Sequence, residues 1–160
     1  MSRFKCYLII LAVSMIPIIE LRGSIPIAAA LDVVPRISFY EALPFAILGN
    51  MIPVPFIILF FKYFLAKFRN VSLIGPILTR VHNKAVKEAD KIKSYAFWGL
   101  WIFVASPCPG TGAWTGAVIA SILEMDNKKA LFTICLGVLT SGLIMSFISY
   151  GLVDIILRLF

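Results

Sequence analysis

Four apolar stretches dominate this chain, and two of them are cut by residues that a membrane-spanning helix does not keep. The stretch from Ala96 to Leu123 is broken by Ser106-Pro107-Cys108-Pro109-Gly110-Thr111-Gly112, and the stretch from Cys6 to Leu31 by Glu20-Leu21-Arg22-Gly23. The other two, Ala42 to Leu65 and Ala130 to Val153, carry no comparable break. A spanning helix needs about 20 apolar residues. An interior proline costs a helix about 3 kcal/mol or more. The second and fourth stretches therefore suffice as whole helices, whereas the pieces of the first and third are too short to cross alone. Each pair of pieces is expected to descend to mid-bilayer and turn back as a re-entrant hairpin. Irregular backbone at that depth is tolerated only where protein or a watery cavity surrounds it.

Composition points the same way. Of 160 residues 61% are apolar and 14% charged, against about 45–50% and about 25% in a soluble domain. One small core cannot hide so much apolar surface. A soluble enzyme and a disordered chain are both excluded, which leaves a single membrane domain over residues 1–160 and no enzyme. The net charge of +7 is read as orientation rather than as affinity for nucleic acid, because basic residues collect on the cytoplasmic side. Arg3 and Lys5 precede an apolar run to Ile19, and Ala28 and Ala30 have signal-peptidase spacing. The intervening stretch is long and carries Glu20 and Arg22, so the segment is read as uncleaved. Cys6, Cys108 and Cys135 form no metal or CxxC spacing, and the single His82 sits in a basic linker. No metal or cofactor is expected.

The two halves resemble each other. Ala42-Leu43 with Leu48-Gly49 matches Ala130-Leu131 with Leu136-Gly137 at a shift of 88. The same shift lays the Glu20–Gly23 break over Cys108–Thr111. A hairpin followed by one crossing reverses sides, so the second half enters inverted. Inverted repeats with broken helices meeting at the midplane are a transporter architecture. The expected fold is thus all-α: half-repeats 1–65 and 96–160, each a hairpin plus a full span, joined by a basic linker, 66–95. Within the linker, Arg80, Lys84, Lys87, Lys91 and Lys93 suit an amphipathic helix from Leu78 to Tyr95 on anionic headgroups. The expected location is the plasma membrane, multi-pass, with this linker cytoplasmic, residues 32–38 outside and 124–129 inside. Four plain spans are the rival, and satisfy the distribution of positive charge slightly better; the cluster of Pro107, Pro109, Gly110 and Gly112 decides against them.

An ionisable group at mid-depth costs about 2.5–3.5 kcal/mol even on the mildest scale. Glu20 and Arg22 are therefore read as a proton-accepting group and a fixed cation facing a cavity. The competing reading is a structural ion pair between the two. Gly23-Ser24-Ile25-Pro26 reads as a helix start with Ser24 as cap, and Thr111 plays the same part beside Pro107, Pro109 and Gly110. Each half-helix start would aim a positive dipole end at mid-membrane. With Arg22 these ends suit a phosphate or carboxylate. Gly112, Gly116 and Ala120 share one helical face and are read as packing, with Gly112 and Thr115 also at the mouth of the site. Trp114 either gates substrate or fills space. Asn50, Thr140 and Ser141 either line the cavity or join helices.

Glu20-Leu-Arg-Gly-Ser-Ile-Pro26, Leu48-Gly-Asn-Met-Ile-Pro-Val-Pro55 and Phe103-Val-Ala-Ser-Pro-Cys-Pro-Gly-Thr-Gly-Ala-Trp-Thr-Gly116 resemble the signatures of the small multi-drug export protein family over nearly the whole chain. Cys108 stands where that family often has an aliphatic residue, and no role is carried over to it. More distantly the family is similar to the DedA/VTT superfamily, with its paired re-entrant hairpins, and that resemblance implies lipid translocation and scrambling, notably of undecaprenyl phosphate. The leading expectation is therefore an anionic lipid or polyprenyl phosphate moved between leaflets, with proton coupling at Glu20, by a homodimer. The alternatives are proton-driven export of small cationic drugs, against which Arg22 counts, and a non-transporting membrane scaffold, which would not need two broken helices.

Overall fold

Proline decides where two of the helices stop, at Pro17 and at Pro107. The computed structural model describes residues 2–30, 37–68, 89–108 and 110–159. Its helices are α1 (Arg3–Met15), α2 (Glu20–Ala30), α3 (Phe39–Met51), α4 (Pro53–Phe68), α5 (Ala89–Ala105), α6 (Ala113–Ile122) and α7 (Asn127–Leu159). No strand occurs among the described residues. At about 1.5 Å per residue, α2 and α6 are roughly half as long as a hydrocarbon core is thick. Two runs are long and apolar enough to cross a membrane, Phe39–Leu65 and Asn127–Leu152. The first joins α3 to α4 through Ile52, whose backbone stays helical. Pro53 then occupies the first position of α4, where a missing N–H costs least.

The first break lies one turn earlier than its charges suggest. Residues 16–19 turn, and α2 already begins at Glu20. Pro17 is the cause, since a proline pushes the residue before it into extended backbone, and Ile16 has ψ 125°. Ser24 and Pro26 consequently sit inside α2 and start nothing. The breaks are unequal as well, residues 16–19 against 106–112. Most of the expected linker helix, including Arg80, Lys84 and Lys87, lies outside the described residues, as do Pro109 and residues 32–36.

Side-chain contacts fix the directions of the helices. Arg3 binds Glu41 at 2.8 Å, Tyr7 stacks on Phe45, and Gly49 lies against Leu11 and Ser14. The paired numbers rise together, so α1 and α3 run parallel. A chain that goes up α1 must come back along α2 to enter α3, and α2 does lie on α1, with the Ser14 and Ser24 hydroxyls 2.5 Å apart. In the second half Val104 lies on Gly137, and about one turn earlier in both helices Leu100 and Ile134 meet at Gly116, so α5 packs on α7 as α1 packs on α3. Between the halves the numbers run oppositely. Phe39 meets Tyr150, Leu43 faces Gly142, and Lys62 reaches Asn127. The long helices of the two halves are therefore antiparallel. Each short returning helix also crosses over, α2 onto α7 and α6 onto α4.

The matched Leu48-Gly49 and Leu136-Gly137 now have a physical reason. A Cβ at Gly49 would lie 2.3 Å from the Leu11 carbonyl oxygen, and one at Gly137 would lie 2.6 Å from Val104 Cβ. In both halves the long helix meets its parallel neighbour too closely for a side chain. Gly116 is likewise pressed against Val104, and Ala120 is fully buried, so this face is packing.

Candidate functional site

The charged start of α2 is aimed across the halves at the second break. Ile18 and Glu20 have left-handed backbone, φ 81° and 49°, which costs such residues of order 1–3 kcal/mol each. This turn carries Glu20 into the interior, where it is 5% exposed. Its Oε1 accepts the Trp114 N–H at 3.2 Å. Trp114 is in the first turn of α6, where backbone N–H groups have no partner within the helix. A carboxylate from the first half thus caps a helix of the second, at the end where the helix dipole favours negative charge. Gly112 makes room for it, because a Cβ there would fall 1.4 Å from Glu20 Oε2.

Arg22 takes the opposite end of the same break. Its Nη1 donates to the Cys108 carbonyl at 2.5 Å. Its Nη2 faces the Ser106 carbonyl at 2.6 Å, the Val104 carbonyl at 3.2 Å and Thr111 Oγ1 at 3.0 Å. Val104 belongs to the last turn of α5, whose carbonyls lack intrahelical partners. The cation therefore lies at the negative end of one half-helix and the anion at the positive end of the next. Among the described residues the ion pair is Arg3–Glu41, not Glu20–Arg22. The two side chains have separate partners.

Other expected residues fall into place around this stitch. Glu20, Arg22, Asn50, Gly112 and Ser141 line one narrow crevice with Val104 and Val138. Asn50 Oδ1, Ser141 Oγ and Arg22 Nε are buried without a partner. Thr111 does not cap α6. Its hydroxyl is shared between the Ser106 and Cys108 carbonyls, and Gly112 is the cap residue. Thr115 is exposed and folds its hydroxyl back on the Gly110 and Gly112 carbonyls. Pro107 and Gly110 are exposed, and Gly110 has φ +85°. Trp114 is half-buried with its Nε1 unpartnered. Ser24 is fully buried, with its hydroxyl also on the Leu21 carbonyl, and Gly23 gives room to Ile19. Neither belongs to the crevice. Thr140 does not either: it accepts from Trp101 Nε1 and donates to Leu136. The helix α7 turns Ser141 inward and Thr140 aside. Among the described residues no group of three His, Cys, Asp or Glu is placed to hold a metal.

The expected free anion site is thus already filled. At the α6 start Glu20 stands where a phosphate would, and at the first break the Glu20 and Gly23 amides donate to the Ile16 and Ile19 carbonyls. Lys62, which the sequence reading passed over, donates to the Met125 carbonyl and to Asn127 Oδ1 at 2.5 Å, tying α4 to the segment after α6. The rule that flagged Glu20, a charge inside an apolar run, applies to it equally.

A sequence model of the family described as "Putative small multi-drug export protein" matches residues 20–144. The chain belongs to that family. No curated protein and no solved structure matches it, so the more distant likeness to DedA/VTT proteins has no match behind it.

Proposed function

We propose that the protein is a multi-pass membrane transporter that exports small organic molecules in exchange for protons. Membership in the export family is the premise for the direction of transport. The two runs Phe39–Leu65 and Asn127–Leu152 are taken as the full spans. The helix pairs α1/α2 and α5/α6 are taken as re-entrant hairpins of opposite orientation. One observation carries the mechanism: the buried Glu20 carboxylate of one half holds the start of α6 in the other. Ionised, Glu20 gains from the α6 dipole; protonated, it loses that attraction. Proton arrival then unlatches the two halves, and one rocks against the other around the crevice.

An anionic lipid finds less support as cargo. It would have to displace Glu20 from α6 and draw Arg22 from three carbonyls. Arg22 also ceases to count against a cationic cargo, because its charge is spent on the second break. The test is efflux of ethidium from proteoliposomes under a proton gradient. Wild-type protein is expected to need the gradient, and Glu20→Gln to lose that dependence, since Gln keeps hydrogen bonding but cannot titrate. Gradient-driven efflux that is unchanged in Glu20→Gln would remove Glu20 from the mechanism.

Orientation follows from the same reading, with the basic segment 66–95 cytoplasmic in the plasma membrane. Tyr40 and Lys128 are both exposed. In a chain with Cys6, Cys108 and Cys135 replaced, Tyr40→Cys should react with an impermeant thiol reagent from outside and Lys128→Cys should not. Reaction of both from outside would defeat the hairpin topology.

A further inference from the structure

The Glu20 crevice holds an acceptor that the latch does not use. Asn50 reaches it from α3, is 3% exposed, and its Oδ1 has no hydrogen-bond partner. The crevice is too narrow to admit a water molecule, so a donor from the protein has to meet this oxygen. An acceptor left unpaired inside a protein is costly. The side chains of the lining offer three donors: Arg22, Ser141 and, once protonated, Glu20. Arg22 Nε lacks a partner too, but its guanidinium is pinned by the Val104, Ser106 and Cys108 carbonyls and by Thr111. Ser141 Oγ is also unpartnered. A hydroxyl within a helix can turn its proton to the carbonyl four residues back, as Thr133 and Thr140 do on the same α7. Glu20 is held less firmly. Ionised, it only accepts; protonated, it has an O–H to donate. Its hold on the Trp114 N–H also weakens once the charge is gone.

We propose that Asn50 is a positioning residue that accepts the O–H of protonated Glu20, so that this carboxyl passes from a contact between the halves to a contact within the first half. Helices α2 and α3 pack on each other, and a bond between them holds nothing of the second half. The proton then acts twice in one direction: it loosens Glu20 from α6 and gives Glu20 a partner that keeps it away. The inference rests on the reading that Glu20 takes up a proton, and adds where the protonated group goes. Among the described residues Arg22 is the other titratable group lining the crevice. Of the charges on helices packed near α2, Arg3 and Glu41 pair with each other, Lys5, Lys128, Lys129 and Asp154 are exposed, and α6 carries none.

Infrared difference spectra of the protein in nanodiscs, recorded as the pH is lowered and without any gradient, read the protonated carboxyl directly. The carbonyl band that Glu20→Gln removes belongs to Glu20. In wild type it is expected to grow in on acidification, at the lower frequency of a carboxyl whose O–H is hydrogen-bonded. Asn50→Val and Asn50→Thr have one shape and differ by an oxygen that accepts. Loss of a bond made only by the protonated form disfavours that form, so in Asn50→Val the band should need more acid. It should grow in at a pH lower by roughly half to one unit, the size of one hydrogen bond, and at higher frequency. Asn50→Thr should lie between Asn50→Val and wild type. Ser141→Ala should match wild type. A Glu20 band that Asn50→Val leaves in place, that Asn50→Thr moves as far as Asn50→Val does, or that Ser141→Ala moves instead would overturn the role of Asn50 and leave the latch standing. No Glu20 band at any pH would overturn both, since Glu20 would then take up no proton.

Discussion

The two hairpins share a plan and differ in chemistry. The first turns in four residues, 16–19, around Pro17, and sends Glu20 and Arg22 out of its returning helix. The second turns in seven, 106–112, with no charged residue, and offers bare helix ends and carbonyls. Shifted by 88, Glu20 falls on Cys108 and Arg22 on Gly110. What one half supplies as side-chain charge, the other supplies as unpaired backbone. A repeat with the same residues in both breaks would face charge with charge. The asymmetry lets two similar halves lock by complementarity.

The most damaging way to break that lock is to occupy the space Glu20 needs. Gly112→Val should expel the carboxylate and leave it buried or force the halves apart, at a cost of about 3–5 kcal/mol, as for other buried charges that lose their partner. Thermal unfolding in detergent would register it. Next in size is Arg22→Ala, which strips the second break of its donor. A hydrogen bond to a charged group contributes about 1.5–3 kcal/mol, and a loss in that range is expected from the same melts. Arg22→Lys should fall between wild type and Arg22→Ala, because Lys keeps the charge and loses the planar fork. Last come the glycines that serve both halves alike, whose range begins below that of Arg22→Ala and shares its top. Overpacking typically costs about 1–3 kcal/mol. Gly49→Ala should lie high in that range, since its Cβ would fall 2.3 Å from a carbonyl oxygen, and Gly137→Ala somewhat lower, since its approach to Val104 Cβ is 2.6 Å and to the Trp101 carbonyl oxygen 3.2 Å. An equal penalty at both would mean that the first half yields as readily as the second.

Much of this was legible in the sequence, and the reason is depth. Glu20, Arg22, Gly112, Asn50 and Ser141 stood out because polar or backbone-sparing residues in apolar runs need a reason, and the structure gathers these five around one crevice. The break at 106–112 was legible because Pro107 and the glycines act locally. The first break was misplaced because charge was weighed over Pro17, whose effect on Ile16 was available from sequence alone. What could not be read is pairing. That Glu20 meets Trp114 rather than Arg22, and that Arg22 meets carbonyls 82 to 86 residues away, depends on how α2 lies across α7. Thr111 looked like a cap for the same reason, since local spacing does not show which amides a distant carboxylate will already hold; Ser24 looked like one because the first break was placed a turn too late. Thr140 and Ser141 are neighbours about 100° apart on α7, and how the helix is rotated against α2 decides which of them faces the crevice.

The central claim is that a carboxylate of the first half holds a helix of the second. Backbone hydrogen exchange at residues 113–115, read in wild type and in Glu20→Ala, tests it most directly. An amide that loses its acceptor becomes free to exchange. The account predicts that Trp114 exchanges markedly faster in Glu20→Ala while Ala28 and Ala29 in α2 keep their protection. Trp114 exchange unchanged by the substitution would contradict the cap across the halves, and with it the latch proposed for transport.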